Sequence, residues 1–305
     1  MRQRLCAPAV QNGIAVCNAL PLGQTGDGPV AQRRGDAMPE FDASAFAHKI
    51  MAARRPGGGA IKTPDDLPRS ASEAYAIQDI VRMHLGPAAA WKVGAPNRET
   101  EPTCAPILAS GLDTIDACCH VKGGQLGIEL EIAFRLGRDF APSATAPTAD
   151  EVRAAIEGAY LAMETCRPRL EAGLKAPPLA SLADSGINHG LVLGACVTQW
   201  DTIDWAQLKG RIAFDGRTVA ETVGGHSHGD IFALLVWQVG HCVTQRGGLA
   251  RGTVITTGSW TGIVWAPVPT RVTGTFDGVG SMEVALSELD RHGGHAGRPR
   301  ETGAA

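Results

Sequence analysis

One segment constrains this chain more than any other: Gly127-Ile-Glu-Leu-Glu-Ile-Ala-Phe-Arg-Leu136. Ile128, Leu130, Ile132, Phe134 and Leu136 fall on one parity, and Glu129, Glu131, Ala133 and Arg135 on the other. A period of two belongs to a half-buried β-strand, because successive Cβ atoms point to opposite faces. Both glutamates therefore share a face, with Cα atoms about 6.6 Å apart at a rise of roughly 3.3 Å per residue. Such a pair either decorates a solvated sheet face or closes on one cation, which would relieve its repulsion.

A third carboxylate bears on that choice. Ala159-Tyr-Leu-Ala-Met-Glu-Thr165 has strand-like composition and places Glu164 near the end of an apolar run, where an unpaired charge is costly. Arg167 and Arg169 offer ordinary ion pairs. Three carboxylates with open water positions would instead suit an octahedral hard ion, Mg²⁺ or Mn²⁺, with room for an oxygen-rich substrate.

The rest of the chain is that of a packed protein. It has 305 residues, 44% apolar and 19% charged, with a formal charge of −3. That balance gives no field for gripping phosphates, and no basic stripe supplies one, so no nucleic-acid partner is expected. No apolar run approaches the roughly 20 residues of a membrane span, so no membrane partner is expected either. The eight cysteines contain no CxxC pair and read as reduced thiols of a cytoplasmic protein. The start lacks the sustained apolar stretch of a secretory signal.

Residues 1–40 mix Gly, Pro, Gln and Asn without period and read as a disordered extension; Met38 is an alternative start. Residues 291–305 read as a flexible tail. Between them a single domain is expected over 41–290. It opens with helices capped by Asp42 and by Ser70, the latter in a Ser-x-x-Glu pattern, and continues as a strand-rich body. Two further helices interrupt that body, one from Thr148 through Ile156 and one over about 230–246. No internal repeat is visible.

Six blocks follow in order: Trp91-Lys-Val-Gly94, Ala105-Pro-Ile-Leu108, Gly127 to Phe134, Ala162-Met-Glu164, Ala183-Asp-Ser-Gly-Ile-Asn188 and Thr256-Thr-Gly-Ser-Trp-Thr-Gly262. Over about residues 42–288 this order resembles the fumarylacetoacetate hydrolase superfamily, in its 2-keto-4-pentenoate hydratase and 4-oxalocrotonate decarboxylase branch. The resemblance implies an α+β fold, a mixed β-roll or sandwich with the N-terminal helices packed on it. It also implies that Glu129, Glu131 and Glu164 ligate the divalent ion. Lys92 falls in the segment of the family's catalytic lysine. Asp184 and Asn188 match a polar segment lining the pocket, Asp184 as a catalytic residue and Asn188 as a substrate contact. Ser259 and Thr261, in a glycine-bounded turn, are expected to meet the substrate.

This chain departs from the family after Gly94, where Ala-Pro-Asn-Arg-Glu replaces a common Thr-Ser pair. No match to the histidine loop of the superfamily's C–C hydrolases is visible; His120 is the nearest candidate base. His226-Ser-His228, with Cys118, Cys119 or His120, is a competing zinc site. Cys166 reads as a core thiol rather than a nucleophile.

The expected activity is a metal-dependent hydro-lyase converting 2-hydroxypenta-2,4-dienoate to 4-hydroxy-2-oxopentanoate in meta-cleavage aromatic catabolism. The alternatives are a 4-oxalocrotonate-type decarboxylase, a C–C hydrolase of an acylpyruvate-like substrate, or a non-catalytic homologue. The expected partners are a small 2-oxo or 2-hydroxy acid, further copies of the chain in a homo-oligomer, and a pathway decarboxylase.

Overall fold

The computed structural model describes residues 41–55, 58–114, 118–121, 124–197 and 199–288. The expected extension over 1–40 and tail over 291–305 lie outside the described residues.

Two helices come first, α1 (Ala43–Arg54) and α2 (Ala71–Leu85). Each is capped as the sequence predicts, Asp42 accepting from the Ala45 N–H and Ser70 from the Glu73 N–H. The strands that follow are β1 (Ala88–Gly94), β2 (Thr103–Leu108), β3 (Leu112–Thr114), β4 (Cys118–Val121) and β5 (Gln125–Leu136). Next come α3 (Ala149–Arg153), β6 (Ile156–Cys166), α4 (Pro178–Ala183), β7 (Asn188–Val197), β8 (Lys209–Phe214) and β9 (Arg217–Val223). The series closes with α5 (Ile231–Gln245), β10 (Val254–Ser259), β11 (Val264–Pro267), β12 (Thr270–Phe276) and β13 (Gly280–Glu288). The capping box at Thr148 and Glu151 forms, but α3 stops at Arg153 and Ile156 opens β6 instead of ending the helix.

The architecture is mixed α+β, with a curled eight-stranded sheet and a five-stranded one. The larger runs β2-β1-β10-β5-β6-β7-β3, with β11 also pairing β5; the smaller runs β4-β13-β12-β8-β9. The β1/β10, β3/β7 and β4/β13 pairs are parallel and the others antiparallel.

Both faces of the larger sheet are used. Ile128, Leu130, Ile132 and Phe134 of β5, with Leu161 and Met163 of β6, join Val272, Phe276, Met282 and Val284 of the smaller sheet in the main core. Leu234, Leu235 and Val239 of α5 complete it. Each such side chain contributes about 1.5–3 kcal/mol by leaving water, so this face carries most of the stability. The opposite face holds a smaller cluster of Ala90, Ala133, Ala162, Ile107, Leu191 and Leu193, small residues interspersed with β-branched and leucine side chains. A third cluster joins α1, α2 and α4 through Phe46, Ile50, Ile77, Val81 and Leu182, and α2 abuts β2.

The alternation in β5 predicts a strand wet on one side. The structure buries that side as well, leaving Glu131 only 1% exposed. No helix among the described residues is long and apolar enough to cross a membrane.

Candidate metal centre

The charged groups gather on the face that carries the alanines. Glu129 of β5 lies directly opposite Glu164 of β6, and Glu131 lies opposite Ala162. On the other side of β5, β10 places Ser259 opposite Glu131, and β1 sets Lys92 beside Thr256 of β10. From β1 to β6 is three strand spacings, about 14 Å across a flat sheet. The curl shortens that path, and Lys92 Nζ reaches Glu164 Oε1 at 2.6 Å.

Each carboxylate has its own supports. Glu164 is fully buried, and its Oε1 also accepts from Asn188 Nδ2 at 3.0 Å. Its Oε2 is buried with no hydrogen-bond partner. Glu131 Oε2 accepts from the Thr256 hydroxyl and from the Gly258 N–H at 3.2 Å. That N–H is free to turn inward because β10 breaks register with β5 between Thr256 and Ser259, with Gly258 at φ +100°. Glu129 Oε2 accepts from Cys166 Sγ at 3.3 Å.

Burial pushes the Glu129 carboxyl upward, and the neighbouring Glu164 charge pushes it further against the pull of Lys92. Glu131 is driven well above the usual carboxylate range by burial and by Glu164 and Glu129. For Lys92, burial works to lower the pKa, but the negative charge of Glu164 above all, with that of Glu129 and Glu131, outweighs it and holds the amine above its ordinary value. One ammonium thus faces three carboxylates, of which Glu129 and Glu164, together with Cys166, bring ligand atoms within 4.8 Å of one another, while Glu131 is turned to Thr256 and Gly258 and does not join that group. A buried, unpartnered carboxylate oxygen in a cluster short of positive charge fits a hard divalent cation, and the oxygen donors are those such ions take.

The other expected site residues divide. Asn188 joins the cluster through Glu164, and Lys92 also donates to the Gly186 carbonyl at 3.2 Å. Ser259 and Thr261 shape their own turn: Ser259 Oγ accepts from the Thr261 N–H at 3.3 Å, and Thr261 Oγ1 accepts from the Leu130 N–H at 3.4 Å. The Ser259 hydroxyl donates to the Gly262 carbonyl at 3.4 Å, and its proximity to Glu129 favours the charged form of that carboxyl. Asp184 is occupied elsewhere. It is 1% exposed, and its Oδ2 accepts from the Arg169 N–H at 2.8 Å while Oδ1 lies 3.5 Å from Arg169 Nη1. Arg169 Nη1 in turn donates to the Asn188 carbonyl at 2.5 Å. Asp184 thus lies behind the cluster, linked to Glu164 only by way of Arg169 and Asn188. Arg169, expected from the sequence as a partner for Glu164, pairs with Asp184, and Lys92 takes the role at Glu164.

Beside Lys92 opens a cavity of about 240 Å³. Its remaining lining is Gly94, Ala95, Pro96, Thr103, Cys104, Ala105, Leu182 and Gly186. Lys92 is the one cation among these lining residues, and Glu164 already engages it.

The competing histidines do not converge. His226 Nε2 lies 2.7 Å from the Thr257 carbonyl, with its ring edge-on to Trp260, while His228 Nδ1 lies 3.0 Å from the Asp230 carbonyl. The side chains of Cys118, Cys119 and His120 lie outside the described residues. The sequence sets Cys166 beside Glu164 as a core thiol but did not reveal its hydrogen bond to Glu129, and Thr256 and Gly258 were missed as neighbours of Glu131. Parity puts Cys166, two residues beyond Glu164, on the same strand face.

Comparison with curated proteins finds no match. Among solved structures, 4-oxalocrotonate decarboxylase from Pseudomonas putida G7, complexed with magnesium and adipate, has TM-score 0.64 at 19% identity, covering 80% of this chain and 97% of that one. The same enzyme complexed with calcium and acetate gives 0.63 at 18%, covering 80% and 96%. The 5-carboxymethyl-2-hydroxymuconate delta-isomerase from Mycobacterium smegmatis gives 0.50 at 18%, covering 67% and 82%. Likeness at such identities carries the fold. A sequence profile of the family described as Fumarylacetoacetate (FAA) hydrolase C-terminal matches residues 102–290, more than half of the 305, and on that match the chain belongs to the fumarylacetoacetate hydrolase family.

Proposed function

We propose that this chain is a divalent-metal-dependent hydratase that converts 2-hydroxypenta-2,4-dienoate to 4-hydroxy-2-oxopentanoate, with one catalytic domain over residues 41–290. Glu129, Glu131 and Glu164 would hold Mg²⁺ or Mn²⁺. The observation that carries this reading is the buried, unpartnered Oε2 of Glu164 with a Glu129 oxygen within 4.8 Å of the Glu164 carboxylate. The magnesium and calcium named with the solved decarboxylase support it. Bound there, such an ion supplies Lewis acidity toward the C1 carboxylate and C2 oxygen of a 2-hydroxy acid.

The chain's own groups do the rest. Lys92, held in its charged form, is suited to bind the substrate carboxylate. Thr256 and the Gly258 N–H fix Glu131, and Asn188 fixes Glu164, so the carboxylates keep their positions while substrate enters. The cavity beside Lys92 takes the diene tail and limits the water around it. Its lining favours hydration of a monocarboxylate over decarboxylation of a dicarboxylate. Lys92 is the one cation among the lining residues, so a first carboxylate bound there leaves none for a second, whose unpaired burial would be costly.

The test is turnover by chelator-treated protein, followed by NMR, with and without Mg²⁺ or Mn²⁺. The expected result is 4-hydroxy-2-oxopentanoate from 2-hydroxypenta-2,4-dienoate only when an ion is present. Release of CO₂ from 4-oxalocrotonate with no water addition to the dienoate would overturn the hydratase reading in favour of the decarboxylase.

A further inference from the structure

We propose that Cys166 makes this centre a mixed oxygen–sulfur site, in which the thiolate ligates a thiophilic divalent ion together with Glu129 and Glu164. The inference rests on the reading that the carboxylates hold an ion and deepens it. Cys166 and Glu164 are two residues apart on β6 and share a face of the sheet. Across the β5–β6 ladder Cys166 stands opposite Gly127 and diagonal to Glu129. A Cβ at Gly127 would come within 3.0 Å of the Cys166 Cβ, so the glycine leaves the space in which the thiol leans toward Glu129.

The distances suit shared ligation. Ligand atoms of Glu129, Glu164 and Cys166 all lie within 4.8 Å of one another, and Cys166 Sγ is 3.3 Å from Glu129 Oε2. An oxygen about 2.1 Å and a sulfur about 2.3 Å from one ion are separated by about 3.1 Å at a right angle and about 3.6 Å at a tetrahedral angle. The observed separation falls between the two. A second, independent feature points to the same ion: the buried Oε2 of Glu164 has no protein partner. On binding, the metal–sulfur bond forms as the S–H proton leaves to solvent, so the ion replaces the proton with no change of oxidation state. Mg²⁺ and Mn²⁺ gain little from sulfur, whereas Co²⁺, Zn²⁺ and Cd²⁺ gain much, so the thiol shifts the metal preference of an otherwise hard centre.

The experiment loads chelator-treated protein with Co²⁺ and records the near-ultraviolet spectrum. The expected result is a sulfur-to-cobalt charge-transfer band that is lost in both Cys166→Ser and Cys166→Ala. Cd²⁺ affinity should fall about ten-fold or more in those variants while Mg²⁺ affinity holds. X-ray absorption on wild-type protein carrying one Zn²⁺ per chain should show one sulfur at about 2.3 Å beside oxygen ligands, a measurement that needs no variant. An all-oxygen shell, a band that survives in both variants, or unchanged Cd²⁺ affinity would overturn the proposal. If Mg²⁺ or Mn²⁺ binds and no sulfur signature appears, the sulfur assignment alone falls; if no divalent ion binds, the metal reading beneath it falls as well.

Discussion

At the scale of single residues, a line of contacts through four residues leads inward from the centre. Glu164 is held by Asn188, the Asn188 carbonyl by Arg169, and Arg169 by Asp184. Burial lowers the Arg169 pKa and raises that of Asp184, and each offsets the other's desolvation. Asp184→Asn should therefore cost about 3–5 kcal/mol in denaturant unfolding, because it leaves a guanidinium buried without its counter-charge. An Asp184→Asn protein as stable as wild type would contradict this pairing. Asn188→Ala should weaken Mn²⁺ binding about ten-fold by releasing Glu164; unchanged binding by titration calorimetry would show that Asn188 does not position it. The shared face of Glu129 and Glu131 was legible in the sequence because strand parity decides which side chains lie together, whereas Glu164, on another strand, was joined to them as a ligand only by the family resemblance. The role of Asp184 was not legible, since its partner is brought in by tertiary packing of the turn before β7 against the end of β6. Nothing in the local spacing distinguishes Asp184 beside the carboxylates from Asp184 behind them.

At the scale of elements, the helix starts were readable because a cap is a local hydrogen bond between neighbours in sequence, as at Asp42, Ser70 and Thr148. The edge strand β9 was not singled out, because most of its residues are exposed and no buried parity marks them. The irregularity in β10 was equally hidden, although it does the most for the site, since it delivers the Gly258 N–H to Glu131. A side chain at Gly258 would have to adopt φ near +100°, and its Cβ would lie 3.1 Å from His226 Nε2. Gly258→Ala should thus lose about 1–3 kcal/mol of stability and weaken ion binding together. Loss of stability with metal affinity untouched would detach the bulge from the centre. The turn after α4 carries a related strain. Ser185, Gly186 and Ile187 all have positive φ, near +56° to +59°, and this turn presents the Gly186 carbonyl to Lys92.

At the scale of the whole molecule, the larger sheet separates two tasks. One face, filled with large apolar side chains against the smaller sheet and α5, supplies stability; the other, lined with alanines, leaves room for charge. Alternation in β5 announced that division, but the burial of its charged side follows from the curl of the sheet and from long-range pairings that no window of sequence contains. Stability should also depend on acid through His189. Burial, with the charges of Arg169, Arg167 and Arg54, depresses its pKa from an ordinary 6.5 to about 4. Between those values the unfolded chain binds a proton that the folded one refuses. His189 thus contributes stability above pH about 6.5 that is lost as pH falls toward 4, about 3 kcal/mol in all. His189→Gln should flatten that limb of the stability profile; an unchanged acid limb would contradict it. The central claim, that Glu129, Glu131 and Glu164 hold one divalent ion, is tested most directly by calorimetric titration of Mn²⁺ into chelator-treated protein. The account predicts about one ion per chain in the wild type and at least about ten-fold weaker binding in Glu164→Gln, whereas no binding, or equal binding by both proteins, would contradict it.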